Sequence, residues 1–333
     1  MFCEFEHKIL NTKGIDLSAR ALDTFHFQYR YNELYRKFVD TLSTDISSIK
    51  LVEQIPFLPI SFFKSHDVRT TLFKAGLVFE SSGTTGSVSS RHSVKDPEIY
   101  RQSFLNGFEM FYGAPDNYCI LGLLPSYLER TNSSLVYMVN ELIRLSGHSN
   151  SGFYLNEFEK LDQTLAALEK AGQKTLLIGV SFALIDFAER FPRKLNHTII
   201  METGGMKGRR EELTREELHA QLKKAFGLEN IHSEYGMTEL LSQAYSSGNG
   251  IFHCPPWMKV LVRDEGDPML IHSSNKFQQT GVINIIDLAN TYSMSFIATD
   301  DLGRLYADGS FEVLGRMDNS DVRGCSLMYS PGE

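Results

Sequence analysis

Two stretches of this sequence carry residue types suited to phosphate chemistry. The first is Ser81-Ser82-Gly83-Thr84-Thr85-Gly86, an unbroken run of small polar and glycine residues. Glycine lets backbone N–H groups approach a ligand closely and permits positive φ. The serines and threonines add hydroxyl donors. Together they can wrap a phosphate chain. A Walker A loop is excluded, because it needs four residues between its glycines and then Gly-Lys-Ser/Thr. Taken alone, the string is equally that of a flexible surface loop. The second stretch is Tyr235-Gly236-Met237-Thr238-Glu239. It offers an aromatic face for a purine, a hydroxyl for a phosphate and a carboxylate for a hard cation such as Mg²⁺. Its plainer reading is a turn leading into a helix start.

The elements around these stretches emerge from periodicity and punctuation. Leu77-Val78-Phe79 reads as a buried strand feeding the first loop. Phe25, Tyr29, Leu34, Phe38 and Leu42 recur at near-helical steps and predict one helix over 20–43, with Pro56 and Pro59 breaking the chain beyond it. Asp96-Pro97-Glu98 starts a helix over 97–112. A continuous apolar run at 118–124 is a strand that ends at Pro125-Ser126-Tyr127. Amphipathic helices are expected over 133–145 and 158–171, a strand over 174–180, a helix over 182–191 and a strand over 198–201 leading into Glu202-Thr203-Gly204-Gly205. The charged segment 211–226, acids first and lysines last, predicts a helix with a solvated face, capped by Gly227. A hairpin turns at Asp308-Gly309.

Alternating buried strands and helices predict an α/β fold with mostly parallel sheets flanked by helices. Ligands of such sheets bind at the carboxyl ends of the strands. The segments 81–86, 125–127 and 203–205 all sit at strand exits, which predicts one shared site.

The bulk numbers narrow the class. The chain has 333 residues, 42% hydrophobic and 22% charged, as in an ordinary globular protein. Its net charge, 33 − 41 = −8, argues against nucleic-acid binding, which wants a basic face. An acidic protein can still bind phosphate through a local nest of N–H groups. The scattered cysteines Cys3, Cys119, Cys254 and Cys325 predict free thiols in a reducing, cytoplasmic setting. The N-terminus has no signal-peptide pattern, and no apolar run is long enough to span a membrane. His253 beside Cys254, with His232 and Cys3 elsewhere, invites a zinc reading, but adjacent side chains are an awkward pair for one tetrahedral ion.

The loop 81–86, Tyr235-Gly236-Met237-Thr238-Glu239, Ala298-Thr299-Asp300-Asp301-Leu302-Gly303 and Gly315-Arg316-Met317-Asp318 occur in that order. In kind and order they resemble the motifs of the adenylate-forming superfamily of acyl-CoA synthetases, adenylation domains and luciferases. The resemblance implies an adenylation domain over 1–316 and a short tail, 317–333, after a hinge at Asp318. It implies ATP and Mg²⁺ as cofactors. Ser81, Ser82, Gly83, Thr84, Thr85 and Gly86 would hold phosphates, with Gly204, Gly205, Gly236 and Met237 also lining the nucleotide. Tyr235 would stack on adenine, Thr238 would touch the α-phosphate and Glu239 would bind the metal. Asp301 would hold the ribose hydroxyls and Arg316 would contact the nucleotide. Tyr127 falls on the acyl side. The family's lysine after the loop has no match here; Arg91 is the nearest candidate cation, with a plain surface arginine as its other reading.

Within the superfamily, Leu124-Pro125-Ser126-Tyr127-Leu128-Glu129-Arg130, Pro255-Pro256-Trp257-Met258-Lys259-Val260 and the ending with Arg323-Gly324-Cys325 resemble the LuxE-type acyl-protein synthetases. That branch activates a fatty acid as acyl-AMP and loads it on a cysteine, here Cys325, for a partner acyl reductase. Arg323, two residues away, would favour the thiolate; the other reading of Cys325 is a small buried hydrophobe. Two other functions fit the same motifs: a ligase that transfers the acyl group to a free thiol such as CoA, and an adenylate-binding subunit without catalysis.

Overall fold

The computed structural model describes residues 16–81, 88–124, 132–204, 213–273 and 278–317. In chain order, helices α1 (Leu17–Tyr31) and α2 (Glu33–Thr41) precede strand β1 (Leu58–Pro59), the short α3 (Phe62–Ser65), strands β2 (Leu77–Glu80) and β3 (Arg91–Val94), and α4 (Pro97–Tyr112). Then come β4 (Cys119–Leu123), α5 (Ser134–Ser146), β5 (Gly152–Phe153), α6 (Phe158–Ala171), β6 (Thr175–Val180), α7 (Ser181–Arg190), β7 (Thr198–Thr203), α8 (Arg215–Phe226), β8 (His232–Tyr235) and β9 (Ala244–Ser246). The last strands are β10 (Met258–Arg263), β11 (Ile271–His272), β12 (Gln279–Asp287), β13 (Phe296–Leu305) and β14 (Phe311–Arg316). The chain folds into two compact units. Among the described residues, unit 1 holds those up to 107, 236–243 and 253–317; unit 2 holds 108–235 and 244–252.

Unit 2 is built on a sheet of order β5-β4-β6-β7-β8-β9, parallel from β5 through β8 and antiparallel at β9. Every residue of β4 and β6 is buried, as the continuous apolar runs require of a sheet covered on both faces. The predicted helices and strands of this region are present, and Phe158–Ala171 matches its expected bounds. The helix expected over 211–226 begins only at Arg215. Thr214 caps it, accepting from Glu217 N, while the Glu217 carboxylate accepts from Thr214 N, a capping box that fixes the start.

Unit 1 departs from the parallel expectation. Its sheet has the order β1-β13-β12-β10-β11, with β14 on the far side of β13, and only β1–β13 runs parallel. The link from β12 to β13 contains only a short 3₁₀ turn, Leu288–Asn290, and such a connection returns the chain antiparallel. The hairpin at Asp308-Gly309 is found, with Tyr306 N donating to Ser310 O at 2.8 Å. A separate two-stranded ribbon pairs β2 with β3.

The single helix expected over 20–43 is two helices. Asn32 ends α1 and caps α2, its side chain accepting from Tyr35 N at 3.0 Å. Its amide Nδ2 also reaches Thr70 Oγ1 and Ser293 O, so the break is tied to the rest of unit 1. Of the predicted stripe Phe25 is fully buried while Tyr29, Leu34, Phe38 and Leu42 are half-buried; beyond the break Tyr35 and Val39 turn inward instead. Phe296 of β13 meets Phe25, Tyr35 and Phe57 at 6.3, 6.4 and 6.0 Å between ring centres. Burying each such ring contributes roughly 1.5–3 kcal/mol. Among the described residues no helix is long and apolar enough to cross a membrane.

Candidate active site

In unit 1, Asp301 and Arg316 are cross-strand partners of β13 and β14. Arg316 Nε donates to Asp301 Oδ1 at 3.1 Å, and the two side chains are only 13% and 3% exposed. Neighbouring Gly303 is required by close packing: a Cβ there would lie 2.6 Å from the Ile283 side chain and 2.8 Å from the Glu312 carbonyl. Behind the pair, buried Arg263 donates to Asn284 Oδ1 and Thr299 O, both at 2.6 Å. Burial lowers the Arg263 guanidinium to about 10, against the pull of Asp300 and Asp301. Burial raises the half-buried Asp300 carboxyl, while Arg316 and Arg263 act the other way.

Glu239 belongs to the same group of charges. It is 2% exposed. Burial raises its carboxyl; a hydrogen bond with Ser90, its own backbone N–H and the charge of Arg316 oppose that rise, and Asp301 adds to it. The segment that carries it, 236–242, has no regular secondary structure, so its buried backbone groups need side-chain partners. His92 of β3 supplies one, its Nδ1 lying 2.8 Å from Thr238 O. Asn290 supplies another, Nδ2 donating to Glu239 O at 2.8 Å. Asp287, at the end of β12, accepts from Leu241 N at 2.8 Å, Ser242 N at 3.1 Å and Ser242 Oγ at 2.6 Å. Burial holds the His92 ring neutral, its pKa down to about 4. Gly236, Met237 and Thr238 are half-buried, while Glu239 turns inward.

The ribbon β2–β3 flanks the first predicted loop. Ser81 closes it twice, N to Ser90 O at 3.0 Å and Oγ accepting from Ser90 N at 2.8 Å. Ser90 thereby links the loop's base to Glu239. Arg91 lies opposite Glu80 and pairs with it at 3.3 Å, on the exposed side of the ribbon.

Unit 2 holds a second buried polar cluster, at the carboxyl ends of β7 and β8. Glu202 Oε1 accepts from Arg215 Nε at 3.2 Å and has His219 Nε2 at 3.6 Å. Burial alone would raise the Glu202 carboxyl, but His219 and Arg215 outweigh it and hold it below its ordinary value. Thr203 and Glu234 are register partners, and Thr203 Oγ1 donates to Glu234 Oε2 at 2.5 Å. Burial pushes Glu234 up to about 7, with Thr203 opposing and Glu202 adding to the rise. Ser181 Oγ donates to Gly204 O at 2.5 Å, fixing the strand exit. Tyr235 is buried against Phe252, ring centres 5.9 Å apart, and Arg215 lies 5.0 Å over the same Phe252 ring.

Among the predicted residues, Glu239, Asp301 and Arg316, from three separate motifs, come together in unit 1; Arg91 pairs with Glu80. Gly204 and Tyr235 sit at the exits of β7 and β8 in unit 2. Ser82, Gly83, Thr84, Thr85, Gly86, Tyr127, Gly205, Asp318 and Cys325 lie outside the described residues. Sequence reasoning missed His92, Asn290 and Asp287, which have no motif. It also missed Glu202 and Glu234, although both stand beside motif residues. Arg215 and His219 were hidden in a charged helix read as solvated. In fact Arg215, His219, Leu222 and Phe226, at helical spacing, turn inward from α8.

The donor set bears on the implied metal. Among the described residues no group of three or more His, Cys, Asp or Glu can cage an ion. Mg²⁺ that arrives on phosphates needs only one or two carboxylates and keeps its waters. Glu239, with the Ser90 hydroxyl on it and Asp301 tied to Arg316, fits that pattern.

The family model for the acyl-protein synthetase LuxE matches residues 11–331. The chain belongs to this family. No curated protein matches it. Similar solved structures include the luciferase-like enzyme from the nonluminescent mealworm Zophobas morio, at 18% identity over 84% of this chain and 62% of that one, TM-score 0.48. Another is o-succinylbenzoate coenzyme A synthetase from Bacillus subtilis, solved in complex with ATP and magnesium ion, at 16% identity over 74% of this chain and 52% of that one, TM-score 0.47. A third is an amide bond synthetase from Marinactinospora thermotolerans, at 14% identity over 73% and 49%, TM-score 0.45. The LuxE-family chain thus spans less than two thirds of the length of each of these structures.

Proposed function

We propose that this LuxE-family protein activates a fatty acid with ATP to acyl-AMP and then carries the acyl group on Cys325 as a thioester for a partner acyl reductase. The observation that carries the reading is the meeting of Glu239, Asp301 and Arg316 in one buried cluster of unit 1. Each comes from a different nucleotide motif, and a merely structural use of all three has no need to gather them.

In this reading the substrate carboxylate attacks the α-phosphorus of ATP, the P–O bond to the leaving pyrophosphate breaks, and acyl-AMP forms. Mg²⁺, when bound, offsets phosphate charge so that the two anions can meet. Glu239 holds the ion, Thr238 donates to the α-phosphate, and Asp301 accepts from the ribose hydroxyls while Arg316 fixes the Asp301 carboxylate. The loop residues 81–86 would supply N–H and O–H donors to the phosphates, and Ser81 at the loop's base is held by Ser90. The Cys325 thiolate then attacks the acyl carbonyl and AMP leaves. The two described cysteines suit this step poorly: burial raises the Cys119 thiol, and burial with Asp287 pushes Cys254 up to about 12.

The test is a labelling experiment with radiolabelled fatty acid, ATP and Mg²⁺. The expected result is a hydroxylamine-sensitive thioester on the protein, mapped to Cys325. Cys325→Ser abolishes the label and retains ATP–pyrophosphate exchange, because the thiol acts only after acyl-AMP forms. Label on Cys3, Cys119 or Cys254, or acyl-CoA formed in place of acyl-protein, would overturn the assignment.

A further inference from the structure

The segment 238–242 of unit 1 is irregular, buried from Glu239 onward and gripped from three directions. We propose that His92 and Asn290 are positioning residues that fix the backbone on both sides of Glu239, so that its carboxylate is presented to the Mg²⁺ of bound ATP in one geometry. The inference rests on the functional reading above and adds to it two residues that lie in none of the motifs.

The geometry is specific. The carbonyl of Thr238 belongs to the peptide before the Glu239 Cα, and the carbonyl of Glu239 to the peptide after it. His92 Nδ1 sits 2.8 Å from the first, and Asn290 Nδ2 donates to the second at 2.8 Å. A carbonyl oxygen only accepts, so the His92 proton resides on Nδ1. With both flanking peptide planes held, φ and ψ of Glu239 are set, and the Ser90 hydrogen bond acts on the carboxylate itself.

The two gripping side chains are themselves fixed. His92 is fully buried in the middle of β3, opposite Phe79, and its ring meets Phe63 edge-on at 5.6 Å. Asn290 closes the 3₁₀ turn after β12, and the Gln28 amide of α1 donates to its carbonyl at 3.0 Å. Downstream, Asp287 anchors Leu241 N and Ser242 N, and Trp257 Nε1 and Ser103 both reach Ser242 Oγ, at 3.1 and 3.0 Å. These downstream contacts already hold the segment in place. The bonds from His92 and Asn290 add orientation at the one residue whose side chain carries the proposed metal ligand. Groups in this outer position typically change metal affinity or activity by about 10–100-fold when removed.

The experiment compares wild type, H92L, H92N and N290L as full-length protein. The readouts are calorimetric binding of ATP with and without Mg²⁺, and the Mg²⁺ dependence of ATP–pyrophosphate exchange. Leu fills the His92 space without a donor, whereas Asn restores one near the Nδ1 position. In H92L and N290L the gain in ATP affinity conferred by Mg²⁺ should fall about tenfold or more, with ATP binding in the absence of Mg²⁺ unchanged. H92N should recover most of the loss. Should H92L fail to fold, N290L and H92N carry the same comparison. Folded variants with wild-type Mg²⁺ dependence, an equal loss with and without Mg²⁺, or no rescue by H92N would overturn the proposal. Wild-type protein that neither binds Mg²⁺-dependent ATP nor performs exchange would instead overturn the functional reading, and this inference with it.

Discussion

Each unit of the molecule buries an acidic side chain against an arginine, and the two ion pairs are built alike up to a point. In unit 1, Asp301 is bound to Arg316 at 3.1 Å; in unit 2, Glu202 is bound to Arg215 at 3.2 Å. The exposures match as well, 13% and 3% against 17% and 4%. Beside each ion pair stands a further buried carboxyl, Glu239 or Glu234, raised chiefly by burial and further by its acidic neighbour. The difference lies in what opposes that rise. Both have a hydroxyl hydrogen bond, Ser90 on Glu239 and Thr203 on Glu234, but Glu239 has in addition its own backbone N–H and the charge of Arg316. Glu239 also sits on a segment whose carbonyls are gripped on either side, whereas Glu234 is part of a regular strand. Burial sets the tendency of a carboxyl to hold its proton; the partners decide whether it is available as a ligand.

The largest effect expected of this comparison is chemical. Glu239→Gln should lower Mg²⁺-dependent ATP–pyrophosphate exchange by orders of magnitude while thermal stability stays close to wild type. Glu234→Gln, the matching change in unit 2, should leave exchange within a few-fold. Equal losses in the two variants would erase the functional distinction between the clusters.

Next in size is the cost of breaking an ion pair. Arg215→Met should destabilise the protein by about 3–5 kcal/mol, read as a shift of the urea midpoint, because Glu202 is left buried with less compensation. Adding Glu202→Gln should recover part of that loss. A midpoint unchanged in Arg215→Met would mean that His219 alone suffices for Glu202.

A smaller effect is a pH dependence. The Glu234 carboxyl is raised from 4.5 to about 7. An acid with a raised folded-state pKa contributes stability that is fully present below its unfolded value and is lost as pH rises through its folded value. Thr203, Glu202 and Tyr112 are the groups that act on it or respond to it. Wild type should therefore lose on the order of 3 kcal/mol more than Glu234→Gln between pH 4.5 and pH 7, at about 1.4 kcal/mol per pH unit. Parallel curves of melting temperature against pH for the two proteins would remove Glu234 as the titrating group.

The smallest effect belongs to the exposed pair. Arg91→Ala breaks the contact with Glu80 on the solvent side of the ribbon and should cost under about 1 kcal/mol. A clear rise in the KM for ATP in that variant would restore Arg91 to the phosphate role and set it beside the buried arginines.

Parts of the protein with local signatures were legible before any fold was known. The runs Cys119–Leu123, Leu176–Val180 and Ile199–Met201 carry no charged or hydroxyl side chain, so a covered parallel sheet could be read from composition and period. Helix ends marked by Gly227 or by Pro97 were legible for the same reason. The ordered motifs made Glu239, Asp301 and Arg316 candidates. Three features depended on tertiary structure. Asn32 splits the first helix because its side chain is drawn to Thr70 and Ser293, far along the chain. Arg215 and His219 turn inward from a helix that reads as solvated, because Glu202 waits at the neighbouring strand exit. His92, Asp287 and Asn290 converge on 238–242 from β3 and from the turn after β12, separated by up to 146 residues from the atoms they hold. One physical cause is common to all three. A local pattern fixes how a segment meets its own neighbours, whereas a buried polar group takes its partner from whichever distant element the fold brings within hydrogen-bonding reach.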